Sequence, residues 1–521
     1  MVNKSHLNWL LTGIACLLLT ATVFSKALFA DFVNLDDNSN LKKNPAMHNL
    51  ALAWEKPYLD AYLPVVYTAW RGLYAIAQTT PTQADSIETW SPIPELDPAP
   101  FHATNIVLHA LNGFLLFAIL CALFSTAPRL LLAAITALFV LHPLQAEAVA
   151  WVTALKDVLS GTFTLAVVLL YVQKPLSRQI NSKRLQHDTR QIALLSLLFL
   201  LACLTKSTRI FLPLWLMFLG HLHWKKPVSR TANELLPLFV IAVIVMLIAM
   251  TVQPNPKVMD YQSIWHRPFV AADALAFYSL KLVWPINLAI DYGRNPRFLF
   301  ESGQVYWSSA ATCMACALIW KWRNRIHPWL LLGASGFVLS LLPLLGLKPF
   351  VFQTISTVSD RYCYVSIALL LIGITPLLLK PGKQGVVTCC VLLLVTLFAI
   401  RTWLQVPVWH NSATLWQHTL LVTPQSGIAH NNLASIHEEL GHVSEAIHHY
   451  EQSTIRLPLA QTFARIAILY TDQQDWLKAQ EWNEKGLAIA PTDQLMLNNR
   501  LFIQSHLQRR GFKMTHTPET H

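Results

Sequence analysis

The chain has 521 residues, of which 54% are apolar and 13% charged, with a net charge of +11. Ordinary soluble domains carry roughly 25% charged residues, so a soluble globular protein is excluded over most of the length. The basic residues sit in short clusters between apolar runs, which is the pattern of membrane loops and argues against a nucleic-acid surface. No P-loop and no GxGxxG fingerprint is present, so nothing supports a nucleotide cofactor.

Apolar runs of membrane-helix character lie at 7–29, 102–124, 129–149, 157–173, 191–205, 208–222, 233–252, 305–321, 328–346, 362–380 and 385–402. The first is longer than the apolar region of a signal peptide, so an anchor is expected, although "ALFA" before Asp31 is compatible with cleavage. Lys4 and the segments 173–191, 223–230, 321–325 and 380–383 are basic. They share one side if the N-terminus is cytoplasmic and 271–290 lies at the interface or re-enters. Residues 30–101 and everything after Trp403 then face outward.

The outer segment 30–101 begins with "FVNLDDNSN", which holds Asp36 and Asp37. Its Trp54, Tyr58, Tyr62, Tyr67, Trp70 and Tyr74 suit short helices lying in the membrane interface. Further ionisable residues gather near outward helix ends: His102, Glu147, Lys156, Asp157, Lys206, Arg209, Asp291, Arg294, Asp360 and Arg361. An acid pair opposed by cations suits group transfer from a phosphate. A carboxylate takes the proton of an attacking hydroxyl, and cations stabilise the leaving phosphate. Arginine fits phosphate in bidentate fashion.

Plainer readings stand beside this one. Asp36 and Asp37 would serve as helix caps; Lys156 and Asp157 would form a local ion pair; Arg361 would snorkel to headgroups. The loop lacks the glycine and distal glutamate of a calcium-binding EF-hand. His142-Pro143 reads as a helix end. Of the eight cysteines, Cys313 and Cys316 form a CxxC inside an apolar run, and Cys389 and Cys390 read as small buried hydrophobes. No metal site is expected.

The tail changes character. Pro424, Pro458 and Pro491 are spaced by 34 and 33 residues. Leu433, Ala434, Gly441, Ala446, Ile447 and Tyr450, then Phe463, Ala467, Tyr470 and Ala479, stand where a tetratricopeptide repeat packs two helices. About two and a half such repeats are expected over 404–507, followed by a polar tail at 508–521.

"FVNLDDNSNLKKNP", "HATNIVLHALNGFLLF", "VLHPLQAEAVAWVTALKDVLSG", "LVWPINLAIDYGR" and "SDRYCYV", followed by repeats, resemble the transmembrane and tetratricopeptide-repeat O-mannosyltransferase family, within the GT-C glycosyltransferases, and its bacterial relatives. The resemblance implies an all-α polytopic bundle over 1–403, about eleven spans, with a short α-solenoid behind it. It implies an inverting transfer of sugar from a polyprenyl-phosphate carrier, a lipid-linked donor, to a hydroxyl of a protein or glycan on the periplasmic side of a bacterial inner membrane. Carried over, the acidic loop motif falls on Asp36 and Asp37, with Asp36 favoured as base. The Lys-Asp motif falls on Lys156 and Asp157, and Asp-Arg-Tyr on Asp360, Arg361 and Tyr362. Arg361 is the implied phosphate ligand. Lys156, Arg209 and Arg294 are further candidates for the phosphate, and His102, Asp157, Asp360 and Tyr362 are supporting. The rival expectation is a non-catalytic scaffold whose repeats recruit partners for envelope assembly.

Overall fold

The structure is a computed structural model that describes residues 4–78, 96–173, 182–253, 261 and 263–509. Residues 174–181 of the basic segment and 510–521 of the polar tail lie outside the described residues. Among those described, the chain is all-helical, with no strands.

Five helices are long and apolar enough to cross a membrane: Leu11–Phe29, Ala99–Leu123, Val152–Gln173, Asp360–Leu378 and Gln384–Trp409. Val228–Glu234 and Leu236–Val252 add a sixth if that pair, bent by 67°, is one span. The eleven apolar runs are all helical, but helix length and apolarity alone do not give eleven spans. The reason is local. Run 129–149 stops at Val140 before His142-Pro143 and resumes as the short helix Gln145–Ala150. Run 208–222 starts as a 3-10 turn, Ser207–Phe211, and continues as Leu212–Trp224. The stretch 271–290 holds a helix, Arg267–Val283, with buried Asp273; it is not among the five.

The chain divides into two compact units, one of Met1–Ile290 with Asn295–Ser412, the other of Asp291–Arg294 with Ala413–His521. In the first, Ala99–Leu123 packs on Leu155–Gln173, and Pro328–Leu341 packs on Tyr364–Leu378. The second crossing is close because two glycines meet. A Cβ on Gly333 would lie 2.9 Å from the Gly373 Cα.

The aromatic residues of segment 30–101 divide between core and surface. Tyr67, Trp70 and Tyr74 are buried on the helix Pro64–Ala77 and form a core with Met47, Val66, Phe101 and Leu155. Trp54 remains 46% exposed. Their spacing puts them on one helical face, which packs into that core. The cysteine expectation is also corrected: Cys389 and Cys390 are exposed on Gln384–Gln405, as are Cys313 and Cys316 on Gln304–Trp322.

The second unit is a run of short helices: Gly427–Glu439, Val443–Arg456, Ala460–Asp472, Trp476–Ile489 and Gln494–Arg509. Successive helices pack on one another with Ala434, Ala446, Ala467 and Ala479 buried. Small residues allow the close approach. A Cβ on Gly427 would meet Leu457 Cβ at 2.7 Å. Ser426 caps the first of these helices by accepting from the Ala429 amide at 3.2 Å. Its own hydroxyl donates to Asp291 at 2.6 Å, within the same unit.

Candidate active site

Asp36 and Asp37 follow the first long apolar helix, Leu11–Phe29, and precede a single π-turn, Asn38–Lys42. Asp37 occupies the cap position of that turn, but its side chain makes no capping bond. It reaches backward instead. One carboxylate oxygen accepts from the Val33 amide at 2.8 Å and the other from the Trp151 indole at 2.9 Å. Asp37 is 1% exposed. Burial pushes its carboxyl up to about 7; the Val33 amide, Thr153 and Trp151 hold it lower, and the neighbouring Asp36 charge raises it.

Asp36 is its opposite. Its side chain is 45% exposed and stands 4.0 Å from the Lys156 ammonium. A pair this open and this long contributes little to stability. It leaves a carboxylate accessible beside a cation.

Lys156 and Asp157 do not form the local pair that adjacency suggests. Lys156 turns to Asp36 and lies 5.7 Å from the centre of the Trp151 ring. Asp157 is fully buried and pairs with Lys206, with Arg209 at 3.9 Å. Arg209 also donates to Ser160 at 3.0 Å. Lys206 lies over the Tyr362 ring at 5.2 Å.

Arg361 does not snorkel. It is buried at the start of Asp360–Leu378, where its Nη1 donates to Glu147 and Ser359. Its backbone amide also donates to Glu147, at 3.2 Å. The Ser359 hydroxyl donates to the same carboxylate at 2.7 Å. The expectation of a phosphate ligand therefore meets a guanidinium already committed in part to a carboxylate. Its Nε has no hydrogen-bond partner. The guanidinium lies 5.0 Å from the Trp151 ring and 5.1 Å from those of Phe352 and Tyr362.

Asp360 is buried in the same 3-10 turn, and His102 is buried in Ala99–Leu123. Arg294 belongs to the second compact unit. Among the described residues, no three His, Cys, Asp or Glu side chains are placed to hold a metal ion.

Glu147 as the partner of Arg361, and Trp151, escaped the sequence reading of roles. Both stand in "VLHPLQAEAVAWVTALKDVLSG". A carboxylate in an apolar run was the available signal, because such a charge requires a partner.

An open crevice lies in the same unit, lined by Asp60, Tyr62 and Leu63 of segment 30–101, Ser207 at the turn, and Val245 and Gln253. Neighbouring Val243, Ile244 and Leu247 are exposed. Compared with protein-family models and with curated proteins, the chain matches none.

Proposed function

We propose that the protein is a membrane glycosyltransferase that moves a sugar from a polyprenyl-phosphate carrier to a hydroxyl acceptor. The observation that carries this reading is the half-open Asp36 carboxylate, 4.0 Å from Lys156 and next to a second, buried aspartate. Asp36 takes the proton of the acceptor hydroxyl. The hydroxyl oxygen bonds to the anomeric carbon from the face opposite the leaving group, and the bond from that carbon to the phosphate oxygen breaks. The electron pair leaves on the phosphate, which Lys156 and the remaining N–H groups of Arg361 stabilise.

The exposed apolar side chains Val243, Ile244 and Leu247 beside the crevice support a carrier with a long hydrocarbon chain. The helix pairs of the second unit, with proline after Val422, Arg456 and Ile489, support tetratricopeptide-like repeats that guide an acceptor. The five to six long apolar helices support a multi-pass protein. A bacterial inner membrane, periplasmic repeats and about eleven spans complete the reading.

The scaffold reading keeps one specific support. The two buried ion clusters, Glu147 with Arg361 and Asp157 with Lys206 and Arg209, are paired internally, and a protein without chemistry would keep them too.

The test is purified protein in lipid nanodiscs with radiolabelled polyprenyl-phosphate sugars and envelope extract. Label passing to an acceptor in wild type but not in Asp36→Asn supports the transferase. No transfer with any sugar, and no binding of the carrier, favours the scaffold.

A further inference from the structure

Trp151 interrupts a helical stretch. It has extended backbone angles, φ −82° and ψ 127°, between Gln145–Ala150 and the 3-10 turn Val152–Ala154. Asn105 holds that break by donating to the Trp151 carbonyl at 2.9 Å. The side chain is 1% exposed and stacks on Trp409, with ring centres 5.9 Å apart and planes at 22°. The break turns the indole toward three charged groups. The N–H donates to Asp37, and the ring lies 5.7 Å from Lys156 and 5.0 Å from Arg361.

The chemistry of indole suits this place. Its N–H is a donor only, so it meets a carboxylate and cannot pair with an ammonium or guanidinium. Its ring attracts cations through its quadrupole. One rigid side chain thus binds the acid loop at its edge and two cations through its π-system. No combination of aliphatic residues does both.

We propose that Trp151 is the positioning residue of this site, holding the acid loop and the cations Lys156 and Arg361 in register around one indole. Asp37 is the loop's anchor in this arrangement, and Asp36 is the group that the anchor presents. The charge facing Asp37 is Asp36; Lys156 reaches Asp36, while the Val33 amide and the Trp151 indole donate to Asp37. The kinetic consequences rest on the transferase reading. The thermodynamic consequence does not.

Two full-length variants separate the functions of edge and ring. Trp151→Phe keeps a ring but removes the N–H. It lowers kcat on the order of tenfold or more, because small displacements of reacting groups are costly, while KM for the polyprenyl-phosphate sugar stays within about twofold. Trp151→Leu removes the ring as well, and raises KM.

The decisive measurement needs no activity. Unfolding temperature is followed against pH for wild type, Trp151→Phe, Asp37→Asn and the double variant. The gap between wild type and Trp151→Phe is small at low pH, where Asp37 is protonated, and widens as pH passes about 7. In the Asp37→Asn background the gap is flat. A gap that is equally flat with Asp37 present overturns the proposal and leaves Trp151 as packing alone. A widening gap without any sugar transfer keeps Trp151 as the positioning residue and sinks only the transferase. If Trp151→Phe does not fold, wild type is labelled at indole nitrogen. One indole resonance titrates near the Asp37 value and ceases to titrate in Asp37→Asn; no such resonance overturns the proposal.

Discussion

Glu147 and Arg361 form a buried ion pair across 214 residues of sequence. Both oxygens of the carboxylate are used, by the Arg361 side chain, the Ser359 hydroxyl and the Arg361 amide. The pair therefore fixes the turn Asp360–Cys363 to the short helix Gln145–Ala150, one residue before Trp151.

Glu147→Gln keeps much of the shape but leaves the guanidinium charge uncompensated. Breaking a buried pair from one side costs roughly 3–5 kcal/mol. Unfolding in detergent should show that loss, and Glu147→Gln with Arg361→Gln together should cost less than the sum of the two. Additive losses would mean that the two residues act independently.

The adjacent aspartates should answer differently to the same substitution. On the proposed transferase function, Asp36→Asn should remove the base and lower transfer by roughly 10²–10⁴, with little change in unfolding temperature. Asp37→Asn replaces one of two acceptor oxygens by a donor that faces an N–H. Leaving such a group unpaired costs about 1–3 kcal/mol, so stability falls at pH 4, where Asp37 carries no buried charge that Asn would relieve. Rates and melting curves at equal membrane abundance check both, and a reversed pattern would exchange the roles of base and anchor.

Stability should depend on pH through Asp37. Its folded-state carboxyl is raised from 3.8 to about 7 by burial, so between those values the folded protein holds a proton that the unfolded chain has released. Stability is therefore greatest below the lower value and falls as pH rises through the window. Asp37→Asn should flatten that slope. Thermal unfolding from pH 4 to pH 8 measures it, and an unchanged slope would assign the dependence to other groups.

The place of truncation should matter within three residues. The Asp31 amide donates to the His410 carbonyl at 2.8 Å and the Asn34 amide to the Ser412 hydroxyl at 2.7 Å. A chain ending at Ser412 keeps both bonds, and one ending at Trp409 loses both. The shorter chain should be cleaved faster by trypsin at Lys42 and Lys43. Equal cleavage would show that the loop stands without this support. Transfer to a small surrogate should survive only in the longer chain.

The helices were legible because apolar runs of this length have few other solutions, and Pro458 and Pro491 do stand just past helix ends. The helix break at His142-Pro143 was legible for the same reason. Partner choice was not. Lys156 and Asp157 are adjacent, but successive helical side chains point in different directions, and their partners lie at Asp36 and at Lys206 with Arg209. The spacing of Tyr67, Trp70 and Tyr74 did carry a signal of one buried face, which residue type alone obscured. Cys389 and Cys390 show the converse limit: apolarity places a helix in an apolar medium without telling which side meets protein and which meets lipid.

The tie between Asn34 and Ser412 spans 378 residues, and this sets an order of events. During synthesis, the acid loop emerges with nearly all of its scaffold still unmade. Neither Trp151, nor Arg361, nor the helix Gln384–Gln405 yet exists to hold it. The loop that carries Asp36 thus gains these ties only when His410 and Ser412, just past the turn Val406–Trp409, have been laid down and the chain has closed on its own beginning. A chain that stops earlier lacks both ties, so the full set of contacts of this loop is conferred by the completion of the unit.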